Sequence, residues 1–169
     1  VVDQPARAID EVAQELVDGL IAGIEVPKNM RWGTHQVRFT RPLRTLVVLH
    51  GTRVLEAQVA GVASGRSARG HRLGTDAVEV PSADAYVEAL RAAGVTADHE
   101  ERARAIAEAV AAAAADAGAA WSDPRGVLDE VVQLVERPHV VRGSIDERFR
   151  ALPDRVLVTA MQSHQRYLP

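Results

Sequence analysis

The sequence predicts an α+β fold, an antiparallel basic β-sheet followed by a helical half. Three observations point there. Between Gln36 and Pro81 apolar residues either alternate or run unbroken for a few positions, with glycine or proline between the runs, as in short strands. From Ser82 onward they recur at every third or fourth position over stretches long enough for helices. Charge divides at nearly the same place. From Lys28 to Arg72 nine basic residues meet a single acid, Glu56, a net of +8, so the remainder carries −11 to leave the overall −3. The 169 residues read as one α+β domain, with a leading helix over 1–25, a β-rich basic lobe over 26–81 and a mainly helical, acidic lobe over 82–169.

The leading helix follows from "PARAIDEVAQELVDGLIAGI", where Ile9, Val12, Leu16, Leu20 and Ile24 fall three or four apart. Asp3 and Pro5 suit its N-terminus, and Gly23 and Pro27 its end. "QVRFTR" alternates, with Val37 and Phe39 inward and Arg38 and Thr40 outward, a half-buried strand. In "TLVVLHG" the apolar run is unbroken, which predicts Leu46 to Leu49 as a central strand buried on both faces. Gly51-Thr52 then turns a hairpin into a third strand, "RVLEAQVAGV". A loop at 64–74 leads to the short strand "AVEVP". Ser82 caps the next helix and Gly94 stops it. A long alanine-rich helix follows, with acids in its first turns and Gly118 at its end. Asp123-Pro124 opens another, whose apolar stripe is Val127, Val131, Leu134 and Val135, with Pro138 as its stop. "HVVRGS" is a short strand or extended link, and a last helix begins near Pro153.

Several chemistries are excluded. With no cysteine there is no disulfide, thiolate metal site or thiol nucleophile, which suits a reducing, cytoplasmic setting. No apolar run approaches the roughly 20 residues of a membrane helix, and the first residues lack a signal-peptide pattern. The six histidines are scattered without metal-ligand spacing, and neither a phosphate-loop lysine motif nor a serine elbow is present. No catalytic or metal set emerges. What remains is the charge asymmetry, which reads either as a solvated surface with compensating ion pairs or as an anion-binding face. "SGRSARGHRLG", residues 64–74, focuses the choice. Its glycines permit positive φ and close backbone approach, and Arg66, Arg69 and Arg72 offer bidentate phosphate contacts beside His71. The competing reading makes it a tight turn whose arginines pair with acids of the helical half. Trp32, in "NMRWG", is either a core plug or a platform for a nucleobase.

The blocks "VPKNMRWG", "FTRPLRTLVVLHG", "AGVASGRSARGHR", "LDEVVQLVERP" and "GSIDERFRALPDRVLVTAMQSHQRYLP" resemble, in order and spacing, the β subunit of bacterial glycyl-tRNA synthetase, from about Val26 to Pro169. Arg137, Val141-Arg142 and Leu73 depart from the pattern, where a tryptophan, an apolar pair and an aromatic residue are expected. The resemblance implies a piece of a longer subunit, or of an α–β fusion, that supports tRNA binding and complex integrity during glycyl-tRNA aminoacylation. It implies tRNA(Gly), the α subunit or α region and the remainder of the β subunit as partners. ATP and Mg2+ would serve the whole enzyme, with no cofactor in this chain and no membrane partner. Candidate tRNA contacts are Arg66, Arg69, His71, Arg72, Arg31 and Lys28. The alternative is a structural module of the subunit with no direct tRNA contact.

Overall fold

The computed structural model describes residues 6–74 and 77–169, so Asp3 and Pro5, expected at the start of the first helix, lie outside the described residues. The chain divides into two compact units, Val1–Ala93 and Gly94–Pro169, so the helix after Pro81 belongs to the first. Strands populate the first unit and helices dominate the second, the α+β order read from the sequence.

In the first unit α1 spans Ile9–Gly23. Its one fully buried residue is Ala13, beside Gln14, whose side chain completes the edge of a strand. The Gln14 carboxamide accepts from the Gln58 N–H at 2.8 Å and donates to the Gln58 carbonyl at 3.1 Å, satisfying an open sheet edge as a neighbouring strand would. That edge is β4 (Gln58–Val59), which pairs antiparallel with β5 (Val62–Gly65). On its other side β5 pairs in parallel with β1 (Leu46–Val47). β2 (Leu49–His50) and β3 (Arg53–Val54) form the hairpin turned by Gly51-Thr52, as anticipated. β6 (Ser67–Ala68) pairs antiparallel with β7 (Val78–Glu79), and α2 (Tyr86–Ala92) follows, ended by Gly94 at φ +78°.

Leu46 to Leu49 correct one expectation. They do not form a central strand covered on both faces: all four are half-buried, and β5 holds the central place. The run divides between two ladders at Val48, whose carbonyl accepts from Leu55 N–H at 3.0 Å. The core lies further on, at Leu55, Ala57, Val59, Ala68 and Val80. Burial at 55, 57 and 59 with exposure at 56 and 58 is the period of two expected of a strand face. Ser64 fixes this segment by donating to Leu55 O at 2.7 Å while accepting from Ala57 N–H at 2.9 Å. "QVRFTR" keeps its predicted alternation of burial but contributes only one bridge, Met30 to Phe39.

In the second unit α3 (His99–Asp116) packs against α4 (Val127–Leu134) through Ile106, Val110 and Val132. Arg102 ties the start of α3 to its surroundings, donating to the carbonyls of Val132, Thr96 and Ala97. Leu134, expected in the apolar stripe, is 71% exposed, and Val132 is buried instead. At about 100° per residue Val127, Leu128, Val131 and Val132 define the covered face, and Leu134, the last residue of α4, lies at its margin where the helix ends. Asp123 accepts from the N–H groups of Val127 and Leu128, both at 2.8 Å, an N-terminal cap just before α4. "HVVRGS" is an extended link, and a 3-10 turn at Glu147–Phe149 precedes α5 (Asp154–Thr159). The last helix starts after Pro153 but widens into a π-helical turn at Ala160–His164. There Gln162 is fully buried and donates to Asp123.

Candidate nucleic-acid interface

Every candidate contact belongs to the first unit. The 64–74 stretch is less of a loop than expected: Ser64 and Gly65 end β5, and Ser67-Ala68 form β6 with Ala68 buried. The two hydrogen bonds of the Ser64 hydroxyl and the pairing of β6 with β7 hold this half as sheet, leaving Arg69–Gly74 as the loop. Among the described residues the positive-φ glycines of this unit include Gly33, Gly51 and Gly61 but not those of 64–74.

That division separates the arginines. Arg66, half-buried between the two strands, donates to the Thr52 carbonyl at 2.9 Å and the Pro81 carbonyl at 3.2 Å, so its guanidinium clasps the hairpin turn to the end of β7. Arg69 and Arg72 are exposed, with no hydrogen bond or ion pair among the described residues. His71, half-buried between them, anchors the loop. Its N–H donates to Ala93 O at 2.9 Å, its carbonyl accepts from Gly74 N–H at 2.9 Å, and its Nδ1 accepts from Leu73 N–H at 3.3 Å. Leu73 itself is 82% exposed at the loop's tip.

Lys28 and Arg31 are exposed at the base and on the arm of a second loop. Met30 and Phe39 close it through reciprocal backbone bonds of 2.9 and 3.1 Å. A turn from Trp32 to His35, with Gly33 at φ +56°, shapes its tip. Arg38 reaches Asn29 at 3.4 Å across the base. Arg41 and Arg44 are exposed too, cations that the sequence reading counted in the stripe without naming as contacts.

Of the nine basic residues between 28 and 72, only Arg53 meets a carboxylate within its unit among the described residues, Asp10 of α1 at 3.1 Å. The balancing acids do not sit mainly in the helical second unit. Of the −11, residues 1–27 carry −5, 73–93 carry −3 and 94–169 carry −3. A cleft of about 630 Å³ brings some of them near the stripe, with Asp18 and Glu25 lining it together with Asn29, Val37 and Arg38. A surface of unpaired guanidinium and ammonium groups attracts a polyanion, and salt screens that attraction. Among the described residues no group of three His, Asp or Glu is placed to hold a metal ion. Nor is any helix there long and apolar enough to cross a membrane.

The family model described as glycyl-tRNA synthetase beta subunit matches residues 1–169. Among curated relatives, a glycine–tRNA ligase beta subunit of Streptococcus thermophilus is 39% identical over 92% of this chain and 23% of its own length. One of Myxococcus xanthus is 40% identical over 98% of the chain and 24% of its own length. The Bacillus subtilis protein of that name is 40% identical over 90% of the chain and 22% of its own length. The chain thus spans about a quarter of the length of the curated relatives it matches.

Proposed function

The chain belongs to the glycyl-tRNA synthetase β-subunit family, and on that premise we propose that it supplies part of the tRNA-engaging surface of a glycine–tRNA ligase. In this reading the parent enzyme joins glycine to tRNA(Gly), with an α subunit or α region carrying the ATP, Mg2+ and glycine chemistry. This chain contributes electrostatic grip on RNA and no reacting group. One observation carries the reading: a nine-cation stripe of which a single member is neutralised by a carboxylate in its own unit. Exposed guanidinium groups cost little to leave unpaired in water, but a run of them with one interrupting acid is what a phosphate backbone binds.

The contacts divide by partner. Arg69, Arg72, Arg31 and Lys28 are assigned to phosphates, while Arg66, engaged with two backbone carbonyls, supports the structural alternative at its own position. Replacing Arg69, Arg72, Arg31 and Lys28 by Gln in the full-length enzyme is expected to flatten the slope of log K for tRNA against log salt by roughly 3 units, at about 0.7–0.9 per phosphate contact. Melting temperature should stay within a degree or two, since these side chains are exposed. Arg66→Gln should do the reverse, lowering stability by about 1–2 kcal/mol through two lost charge-assisted bonds and leaving the slope unchanged. A quadruple variant with a wild-type salt slope would refute direct tRNA contact and leave the stripe to assembly.

A further inference from the structure

We propose that Trp32 is a stacking platform for an unpaired nucleotide, so that this surface engages a single-stranded segment of RNA through its base as well as its phosphates. The inference rests on the RNA-binding reading above and adds the form of RNA it takes.

Trp32 is not the core plug its sequence also allowed. It is half-buried and stands outside the buried core of its unit. Its indole N–H has no hydrogen-bond partner among the described residues. The ring lies tilted at 56° to the His35 imidazole, with centroids 6.2 Å apart. His35 in turn sits against Gly61, where a Cβ would come within 3.1 Å of its Cε1, so the loop rests on the turn between β4 and β5. The Met30–Phe39 bridge closes the loop's base, and the turn through Gly33 sets its tip. An aromatic side chain is thus held on a braced loop with part of its surface open to solvent. A platform fixed before binding loses less entropy than one that must be ordered.

Its surroundings are chosen by charge. No acid occurs between Glu25 and Glu56, and that interval holds Lys28, Arg31, Arg38, Arg41, Arg44 and Arg53. Arg31, exposed, directly precedes Trp32 in the chain, and Met30, 52% exposed, adds apolar surface. Cations to track the backbone and an aromatic face for a base are the two parts of a single-strand site. A paired helix, with its bases stacked inside, offers such a ring nothing to stack on.

The test measures binding of an eight-nucleotide oligoadenylate and of a long RNA duplex, whose exposed terminal pairs are few against its length, to the full-length enzyme, with Trp32→Ala, Trp32→Leu and Trp32→Phe. Base–aromatic stacking of about 1–3 kcal/mol corresponds to roughly 5- to 150-fold in affinity. Trp32→Ala and Trp32→Leu are expected to lose that factor on the single strand and nothing on the duplex, while Trp32→Phe keeps most of it. Leucine preserves apolar bulk without a π face, so it separates stacking from packing, and matched thermal melts report whether each variant folds. The salt slope should be the same for all of them. Equal single-strand affinity for wild type and Trp32→Leu overturns the inference while salt-dependent binding survives. An equal loss on both RNAs overturns it too. Absence of salt-dependent binding by the wild-type enzyme would refute the RNA-binding reading, and this inference with it.

Discussion

Asp98 shows how a single carboxylate sets the start of an element and its response to pH. Its side chain accepts from the N–H groups of Glu101 and Glu100, and these bonds, the first the larger effect, hold its carboxyl below the usual carboxylate range. A pKa lowered by folding gives stability that is present above the unfolded value near 4 and lost as pH falls through the native one. Asp98→Asn keeps an oxygen for the cap and removes the charge. The expected outcome is a lower melting temperature than wild type at pH 5–7, with the two curves converging as pH falls toward 2. A gap that stays constant across that range would mean the charge contributes nothing. At this scale much was legible. Gly94 and Gly118 stop their helices because each adopts positive φ. Ser82, expected to cap α2, instead accepts from the Ala85 N–H in the preceding turn, and α2 begins at Tyr86 with Ala85 as an N-cap that makes no side-chain bond. Gln162 was not legible, since its place depends on a carboxylate 39 positions away in the chain.

At the scale of elements the two hairpins of the first unit make an instructive pair. The Gly51-Thr52 turn announces itself, a glycine after an apolar run. The Ala60-Gly61 turn does not, because its first residue is an alanine forced to φ +50° beside a glycine at φ +80°. Both central residues at positive φ is the geometry that Asn-Gly adopts most readily. Ala60→Asn is therefore expected to stabilise the chain by about 0.5–1 kcal/mol, relieving a left-handed alanine without changing the turn. Thermal or urea unfolding checks it, and a destabilised variant would contradict the turn geometry. The same missed turn explains why β4 and β5 read as one strand. Leu46–Leu49 failed for a related reason: an unbroken apolar run marks a strand covered twice or, as here, a run shared between two ladders, and composition does not separate these. The π-helical turn at Ala160–His164 has the periodicity of an α-helix within so short a span, and only the helix start after Pro153 could be read.

For the whole molecule, net charge is the poorest guide to partners. The sequence pI is about 6.1, yet nine of the 20 Lys and Arg residues fall between 28 and 72 with a single acid among them, and the acids of residues 1–27 lie in the same unit. The charge division was legible by counting. Where the acids would fold was not, because a count carries no contacts. Asp18 and Glu25 share the cleft lining with Arg38 and Asn29, so they subtract from the positive potential near the Trp32 loop without forming an ion pair with the exposed Lys28 or Arg31 among the described residues. Removing them should change how fast RNA arrives rather than how many phosphates it meets, since long-range fields govern encounter and direct contacts set counterion release. Asp18→Asn with Glu25→Gln is expected to raise the association rate for tRNA several-fold at about 50 mM salt. That advantage should fade toward 1 M, where the Debye length shrinks to about 3 Å. The salt slope at equilibrium should remain that of wild type. Stopped-flow mixing over a salt series measures both arms. An unchanged low-salt rate would place the RNA path beyond the reach of these two carboxylates, away from the Trp32 loop and toward Arg69 and Arg72.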